Sequence, residues 1–171
     1  RLHLIPQVDR LVTSLVVSKL MASPHTVAVN IATASIANAD FCQWLGGYLL
    51  EHKSLCDRLA FEIEDSAIIY YREATLKFCD MVKKAGCTIT IEHFGDNLAS
   101  LSGLRAIQPD FVKISGKLTK DIHEDKDNQL FVSSLVSIAN GLHIKVIAEL
   151  VESELESNTL SKLQVVYQQG Y

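Results

Sequence analysis

Two short stretches, Thr26-Val-Ala-Val-Asn-Ile31 and Arg58-Leu-Ala-Phe-Glu-Ile63, decide the fold of this 171-residue chain. Each is an almost continuous run of apolar and β-branched residues with one polar side chain near its end. Runs of this kind are typical of strands that are buried on both faces, as in a parallel sheet. Similar runs recur further along the chain, at residues 87–92, 110–114, 144–149 and, more weakly, 164–167.

The segments between these runs have helical spacing of their apolar residues. The clearest helices are predicted at residues 66–85 and 128–140, where Gly86 and Gly141 provide stop signals, and weaker ones at 40–52 and 152–163. About six β-α units in series indicate either an open doubly wound sheet or a (β/α)₈ barrel. A complete barrel takes about 250 residues. We therefore expect an α/β, TIM-like barrel that lacks its first one or two units, with residues 1–171 forming one N-terminally incomplete domain.

Composition narrows the class of protein further. The chain is 48% hydrophobic and 21% charged, with a net charge of -4, which excludes a disordered chain. The absence of a basic tract argues against binding to DNA or RNA through bulk charge. No apolar run reaches the length of about 18 residues that would cross a bilayer. Four cysteines without a C-x-x-C pair suggest reduced thiols in a cytoplasmic protein.

Polar residues fall at or near the carboxyl end of successive predicted strands. In a barrel this edge holds the active site, which is assembled from several strands. A single polar group there is usually a satisfied core residue, whereas five at equivalent positions favour a shared site. Carboxylates and an amide suit divalent cations such as Mg²⁺, and two such ions can activate water against a phosphodiester. The five residues are Asn30, Glu62, Glu92, Lys113 and Glu149.

Seven short segments, in unbroken order, resemble the motifs of the EAL domain family, the bacterial phosphodiesterases of cyclic di-GMP. Each segment is a weak signal alone, but the ordered set is specific. The segments are Val29-Asn-Ile31, Phe61-Glu-Ile-Glu-Asp-Ser66, Ile91-Glu-His-Phe-Gly-Asp-Asn97, Ser100-Leu101 with Leu104, Phe111-Val-Lys-Ile-Ser115, Ile147-Ala-Glu-Leu-Val-Glu-Ser153 and Gln169-Gly-Tyr171.

The resemblance implies roles for the residues that keep the family pattern. Asn30 and Glu62 occupy metal-ligand positions, and Lys113 occupies the position of the lysine that orients the attacking water. Glu149 stands at the position of the proposed base. Two further kept residues are Glu152 and, near the ligand end of the barrel, Gln169.

Departures from the pattern concentrate on the metal ligands. The two paired aspartates of the family are replaced by Glu92, which is one methylene longer, and by His93. Imidazole is a poor ligand for Mg²⁺, and a displaced carboxylate can by itself cost about a hundredfold in rate. Ser115 replaces an acid, Asp65 replaces a glutamate and Leu150 replaces a glycine. We therefore expect no metal at the family positions Asn30, Glu62, Glu92 and His93, and Mg²⁺ or Mn²⁺ only if residual hydrolysis persists.

The resulting hypothesis is a catalytically inactive receptor that binds cyclic di-GMP. The sequence is also similar to the Lap-type transmembrane receptors, which implies a cytoplasmic domain of an inner-membrane protein that controls adhesion and biofilm. Its partners would be a signalling helix and a GGDEF-like domain of the same chain, and a homodimer is possible. The alternatives are a weakly active metal-dependent phosphodiesterase and a ligand-free interaction module. The expected ligand-binding residues are Asn30, Glu62, Glu92, His93, Lys113, Glu149, Glu152 and Gln169.

Overall fold

A computed structural model describes residues 4–97, 99 and 101–170 of the chain. Six strands of the described residues belong to one sheet and follow one another in chain order, from β1 to β6. The α/β fold class predicted from the sequence is confirmed. The strands are β1 Val27–Ile31, β2 Leu59–Glu64, β3 Thr88–Phe94, β4 Phe111–Ile114, β5 Lys145–Ala148 and β6 Tyr167–Gln168.

Helices occupy the connections between the strands, as expected for β-α units. A 3₁₀ turn at Lys53–Arg58 precedes β2. The α-helices are α1 Ile5–Leu20, α2 Thr33–Ile36, α3 Ala39–Glu51, α4 Asp65–Tyr70, α5 Arg72–Ala85, α6 Leu101–Ile107, α7 Gly116–Thr119, α8 Lys126–Gly141 and α9 Glu154–Lys162. Within the described part of the chain, no helix is both long and apolar enough to cross a bilayer.

The chain divides into two compact units at the boundary between Thr90 and Ile91. In the first unit, β1 and β2 pair in parallel, α1 packs against β1, and α3 and α5 pack against each other. Its core contains Phe61 and Phe78, whose rings meet edge to face with their centroids 6.2 Å apart. The register of the strand pair places Asn30 opposite Glu62.

In the second unit, β5 pairs in parallel with both β4 and β6. Ile114 and Ala148, the last residues of β4 and β5, are register partners and are completely buried. The α8 helix packs against β5 through an apolar face that includes Val132 and Leu135. The carboxyl ends of these parallel strands therefore lie at one edge of the unit, and the loops that follow them meet there.

Two predicted elements differ from the structure. The single helix expected at residues 66–85 is two helices, because the backbone at Tyr71 leaves the helical region (φ -135, ψ 46) between α4 and α5. The weak last strand, expected at residues 164–167, is instead β6, which retains only Tyr167 of that run. Gln164 adopts a positive φ of 67°, a conformation that interrupts extended backbone and delays the strand.

Candidate functional site

A buried ion-pair cluster on β4 lies at the centre of the candidate site. Lys113 is only 5% exposed, and its Nζ lies 3.2 Å from Oε1 of Glu92 and 3.9 Å from Oε1 of Glu149. Glu92 comes from β3 and Glu149 directly follows β5, so the lysine stands between carboxylates from the two neighbouring strands. A buried ammonium is costly unless it is paired, and these two carboxylates compensate its charge.

The backbone around Glu149 is fixed on both sides. Its N–H donates to the carbonyl of Ile114 over 3.3 Å, which continues the β4–β5 ladder for one residue beyond the strand. Its carbonyl accepts a 2.5 Å hydrogen bond from Oγ1 of Thr119, a buried residue of α7. These two contacts hold the Glu149 carboxylate at the edge of the sheet, where it faces Lys113.

The tight turn after β3 explains the Phe-Gly pair in the sequence. His93 is exposed and adopts a positive φ of 58°, and its carbonyl accepts a 3.1 Å hydrogen bond from the N–H of Asp96. Gly95 has a φ of 102°, and a Cβ there would lie 2.7 Å from methyl groups of both Leu118 and Leu135. Only glycine fits this turn without a shift of the packing below it.

A second, more exposed ion pair joins this turn to the start of α7. Nζ of Lys117 lies 2.7 Å from Oδ2 of Asp96, with the lysine side chain 80% exposed. Partial burial of Asp96 raises its pKa, but hydrogen bonds from Lys117 and Ser115 and the nearby positive charge outweigh it, so that its pKa lies below the ordinary value. Asp96 is therefore an anion at neutral pH, placed beside the buried cluster.

One member of the cluster, Glu149, lines a pocket of about 680 Å³, whereas Lys113 and Glu92 are not among its lining residues. Gln169 borders it, and the backbone of this residue is anchored because its N–H donates to Ala148 and its carbonyl accepts from Val151. Six of the nine lining residues have polar side chains, although more of the pocket surface is apolar than polar. Its lining residues are His93, Asp96, Ser115, Gly116, Lys117, Glu149, Leu150, Gln169 and Gly170.

In the first unit, the two predicted polar strand residues are brought together. Asn30 on β1 and Glu62 on β2 are direct register partners of the parallel pair. Asn30 is exposed and Glu62 is half-buried. Beside them, Oγ1 of Thr33 and Oγ of Ser66 lie 3.5 Å apart at the starts of the helices that follow the two strands. The strand-end pattern thus predicted a genuine juxtaposition within this unit.

Three residues singled out in the sequence are not found at the pocket, either because they lie elsewhere or because they are outside the described residues. The Glu152 side chain is exposed and does not line the pocket, while its N–H donates to Oε2 of Glu156 over 2.9 Å. Its predicted contact with a ligand stays a prediction. Ser100 and Tyr171, which carry parts of the motif resemblance, lie outside the described residues.

Two buried acids that organise the loops were missed by the sequence analysis. Asp9 on α1 accepts hydrogen bonds from the N–H of Ala32, over 3.0 Å, and from Oγ of Ser35, over 2.6 Å, and so holds the loop after β1. Glu156 on α9 accepts from the N–H groups of Asp121, Glu152 and Ser153. The spacing of Ser153 and Glu156 is a capping-box signature and was the signal available in the sequence.

Comparison with known proteins identifies the family. The family model described as "EAL domain" matches residues 1–171, so the chain belongs to the EAL domain family of cyclic di-GMP phosphodiesterases. Over 145 residues it is 30% identical to the cyclic di-GMP phosphodiesterase PdeR of Escherichia coli K12. That match covers 85% of this chain but only 22% of PdeR, so the chain spans about a fifth of this curated relative.

Solved structures of EAL proteins superimpose on almost the whole chain. The S helix-GGDEF-EAL segment of Vibrio cholerae LapD, bound to cyclic di-GMP, matches with a TM-score of 0.92 and 27% identity, covering 97% of this chain and 41% of that one. BlrP1 of Klebsiella pneumoniae, in a complex with manganese and cyclic di-GMP, matches with a TM-score of 0.84 and 27% identity, over 100% and 44% of the two chains. The TIM-like barrel architecture of the family therefore accounts for the observed α/β fold.

The donor groups of the described residues do not favour a hard divalent cation. Among residues 4–97, 99 and 101–170, no three His, Cys, Asp or Glu side chains are grouped so that they could hold a metal ion. The chemistry of the donors agrees with this, because Glu92 already faces an ammonium group and His93 offers an imidazole. Hard cations such as Mg²⁺ prefer oxygen ligands, which the imidazole of His93 does not supply.

Proposed function

We propose that this chain is a receptor domain that binds cyclic di-GMP without hydrolysing it. The observation that carries the proposal is the open pocket lined by Glu149, whose carboxylate is held by the buried Lys113. Lys117, which also lines the pocket and is 80% exposed, offers positive charge to a phosphate. The carboxylates and Gln169 offer acceptors and donors to the edge of a guanine base.

The two replaced aspartates support the loss of hydrolysis. Where the family pattern has two aspartates, this chain has Glu92, which is engaged with Lys113, and His93, which is exposed in a left-handed backbone conformation. An imidazole at the second position is a poor ligand for Mg²⁺. A site built in this way retains the means to bind a dinucleotide but has lost one of the carboxylates of the family pattern.

The cellular context of the proposal comes from the similarity to LapD. That protein was solved as a unit containing an S helix, a GGDEF domain and an EAL domain. We propose the same kind of setting for this chain: a cytoplasmic domain of a bacterial membrane signalling protein that controls adhesion, with a signalling helix and a GGDEF-like domain as partners in the same protein. Homodimerisation belongs to this proposal as well.

Isothermal titration calorimetry with cyclic di-GMP in EDTA tests the binding. The wild-type chain is expected to bind with a Kd in the micromolar range or tighter. Lys113→Ala and Glu149→Ala should each weaken binding by about 1–3 kcal/mol, since each removes a charge-assisted contact. Lys162→Ala, a change on the outer helix α9, is the matched control and should leave the affinity unchanged. Absence of heat for the folded wild type would refute the proposal.

Residual phosphodiesterase activity is the second candidate, and the register pairing of Asn30 with Glu62 favours it. Both residues keep the family pattern, and relatives such as PdeR are phosphodiesterases. Incubation with cyclic di-GMP and Mg²⁺ or Mn²⁺ for several hours, followed by chromatography for the linear dinucleotide, distinguishes the two functions. Product that depends on the metal and disappears in Glu62→Gln would favour the enzyme over the receptor.

A further inference from the structure

Leu150 is an exposed apolar side chain among lining residues that are mostly of polar type. It directly follows Glu149 and is 55% exposed, although it lines the pocket next to Lys117 and Gln169. An exposed leucine is ordinary on an open surface, but one inside a concave site is available as a contact surface for a ligand.

The backbone at Leu150 makes this choice of residue more unusual. Its φ is 54°, in the left-handed region that favours glycine and disfavours bulky side chains. The EAL motif that this segment resembles has a glycine at the same position. A leucine here therefore carries conformational strain that the usual residue avoids, and such strain is most often retained where it serves a site.

The leucine also has a defined orientation. A Cβ built on Gly116 would overlap the Leu150 side chain, approaching its Cγ to 2.9 Å and its Cβ to 3.1 Å. The side chain thus lies against the bare backbone at the start of α7, and the absence of a side chain at Gly116 makes this packing possible. The surface that remains exposed is an aliphatic face with a fixed position beside Gln169 and Gly170.

We propose that Leu150 is a specificity-determining contact that packs against the flat face of a purine base of the bound dinucleotide. This inference rests on the proposed binding of cyclic di-GMP. Burial of the exposed leucine face against a two-ring base removes apolar surface from water, while polar groups such as Gln169 are left to read the edge of the base. A one-ring pyrimidine would cover less of the same face, so the contact discriminates by base size.

Calorimetry on four proteins in EDTA tests the assignment. Leu150→Gly should bind cyclic di-GMP about five- to tenfold more weakly than the wild type, because the aliphatic contact is lost. Leu150→Met keeps an apolar face and should bind within about twofold of the wild type. Gln164→Gly is the control: it also replaces a residue of positive φ by glycine, but outside this pocket, and should not change the affinity.

Two further readouts separate a ligand contact from a structural role. The thermal midpoint of Leu150→Gly should not fall below that of the wild type, because glycine relieves the positive φ. Cyclic di-UMP, which has the same sugar-phosphate ring with smaller bases, should bind weakly and with equal affinity to the wild type and Leu150→Gly. Wild-type affinity for cyclic di-GMP in Leu150→Gly would overturn the assignment and leave the receptor function standing. A folded wild type that binds no cyclic di-GMP would overturn both.

Discussion

A lysine that is almost fully buried requires a compensating charge, and Lys113 has two carboxylates within 4 Å of its Nζ. The side chains of Glu92 and Glu149 are themselves 15% and 17% exposed, so their own desolvation is substantial. Removing one member of such a cluster therefore leaves buried charge behind, which costs more than the pair contributes when it is intact. The cluster must be regarded as a unit.

Lys113→Met tests this coupling. We expect the variant to lose about 2 kcal/mol of unfolding free energy at pH 7, because two neighbouring carboxylates lose their shared counter-charge. Adding Glu92→Gln should recover part of the loss, since it removes one of the stranded charges. Lys117→Met, which breaks a much more exposed pair, is the control and should cost less than about 1 kcal/mol. Urea unfolding measures five proteins, since the comparison also needs Glu92→Gln alone, and a double variant whose loss is the sum of the two single losses would contradict the coupling.

At the scale of elements, the amino-terminal end of α9 holds two neighbouring loops in place. Ser153 and Glu156 form a reciprocal capping box at the start of α9, and Glu156 also accepts the N–H of Asp121 from the segment after α7. Burial raises the pKa of Glu156, but the donated N–H groups and the Ser153 hydroxyl outweigh that effect and lower it overall. This single carboxylate therefore connects α9 with the loop that carries Glu152 and with the turn at Asp121.

Glu156→Gln should destabilise the fold by about 1–3 kcal/mol at pH 7, because three N–H donors lose a charged acceptor. The pKa of the carboxyl is lowered in the folded state, so its stabilisation is present above the unfolded value of about 4.3 and is lost as the pH falls through the folded value. The difference between wild type and variant should therefore shrink in acid. Chemical unfolding from pH 3 to 7 measures it, with the exposed Glu154→Gln as control. A difference that is independent of pH would contradict this account.

The α1 helix has a second element-scale property, an apolar stripe on its exposed side. Val8, Leu11 and Leu15 are between 54% and 60% exposed and are spaced three and four residues apart, so they share one face. Stripes of this kind promote association. Leu11→Lys should reduce concentration-dependent self-association in light scattering while leaving the thermal midpoint unchanged. Asn158→Lys adds the same charge at an exposed site on α9 and serves as the control. Equal association of both variants would contradict a role for the stripe.

For the molecule as a whole, the strands were the most predictable feature. Their apolar runs are short, β-branched and bounded by turn residues, and the first five appear within one or two residues of the predicted positions. The α1 helix was not predicted, because its buried face includes the polar residues Asp9 and Thr13 whereas its outer face is apolar. A prediction that takes apolar residues to be buried would therefore assign the wrong face of this helix to the core.

The candidate site was predictable only in part, because the residues at strand ends follow from the sequence pattern but the loop conformations do not. Strand ends supply residues by position alone, and this rule brought Glu92, Lys113 and Glu149 together correctly. Loop conformation has a weaker sequence signal when a non-glycine residue adopts a positive φ, as His93 and Leu150 do. The pocket wall depends on these loops, so its shape became visible only with the tertiary packing around Gly95 and Gly116.

Thiol reactivity provides a test of the packing of the first unit, which contains all four cysteines. Burial raises the pKa of Cys79 to about 12, and burial together with a hydrogen bond to Cys56 raises the pKa of Cys87. Because the thiolate is the reactive form, these buried thiols should be inert to Ellman's reagent at pH 8 in the native protein. Cys42, which is only half-buried, is expected to react slowly, since burial raises its pKa as well.

The native chain should therefore release at most one equivalent of thionitrobenzoate, and four in guanidinium chloride. Cys42→Ser removes the single native equivalent and leaves three after unfolding, which assigns the reactive thiol. The slow release from the other three measures the opening of the first unit, because their side chains are reached only when its core is exposed. A second thiol that reacts in the native protein as fast as Cys42 would show that this core is less tightly packed than its buried residues indicate.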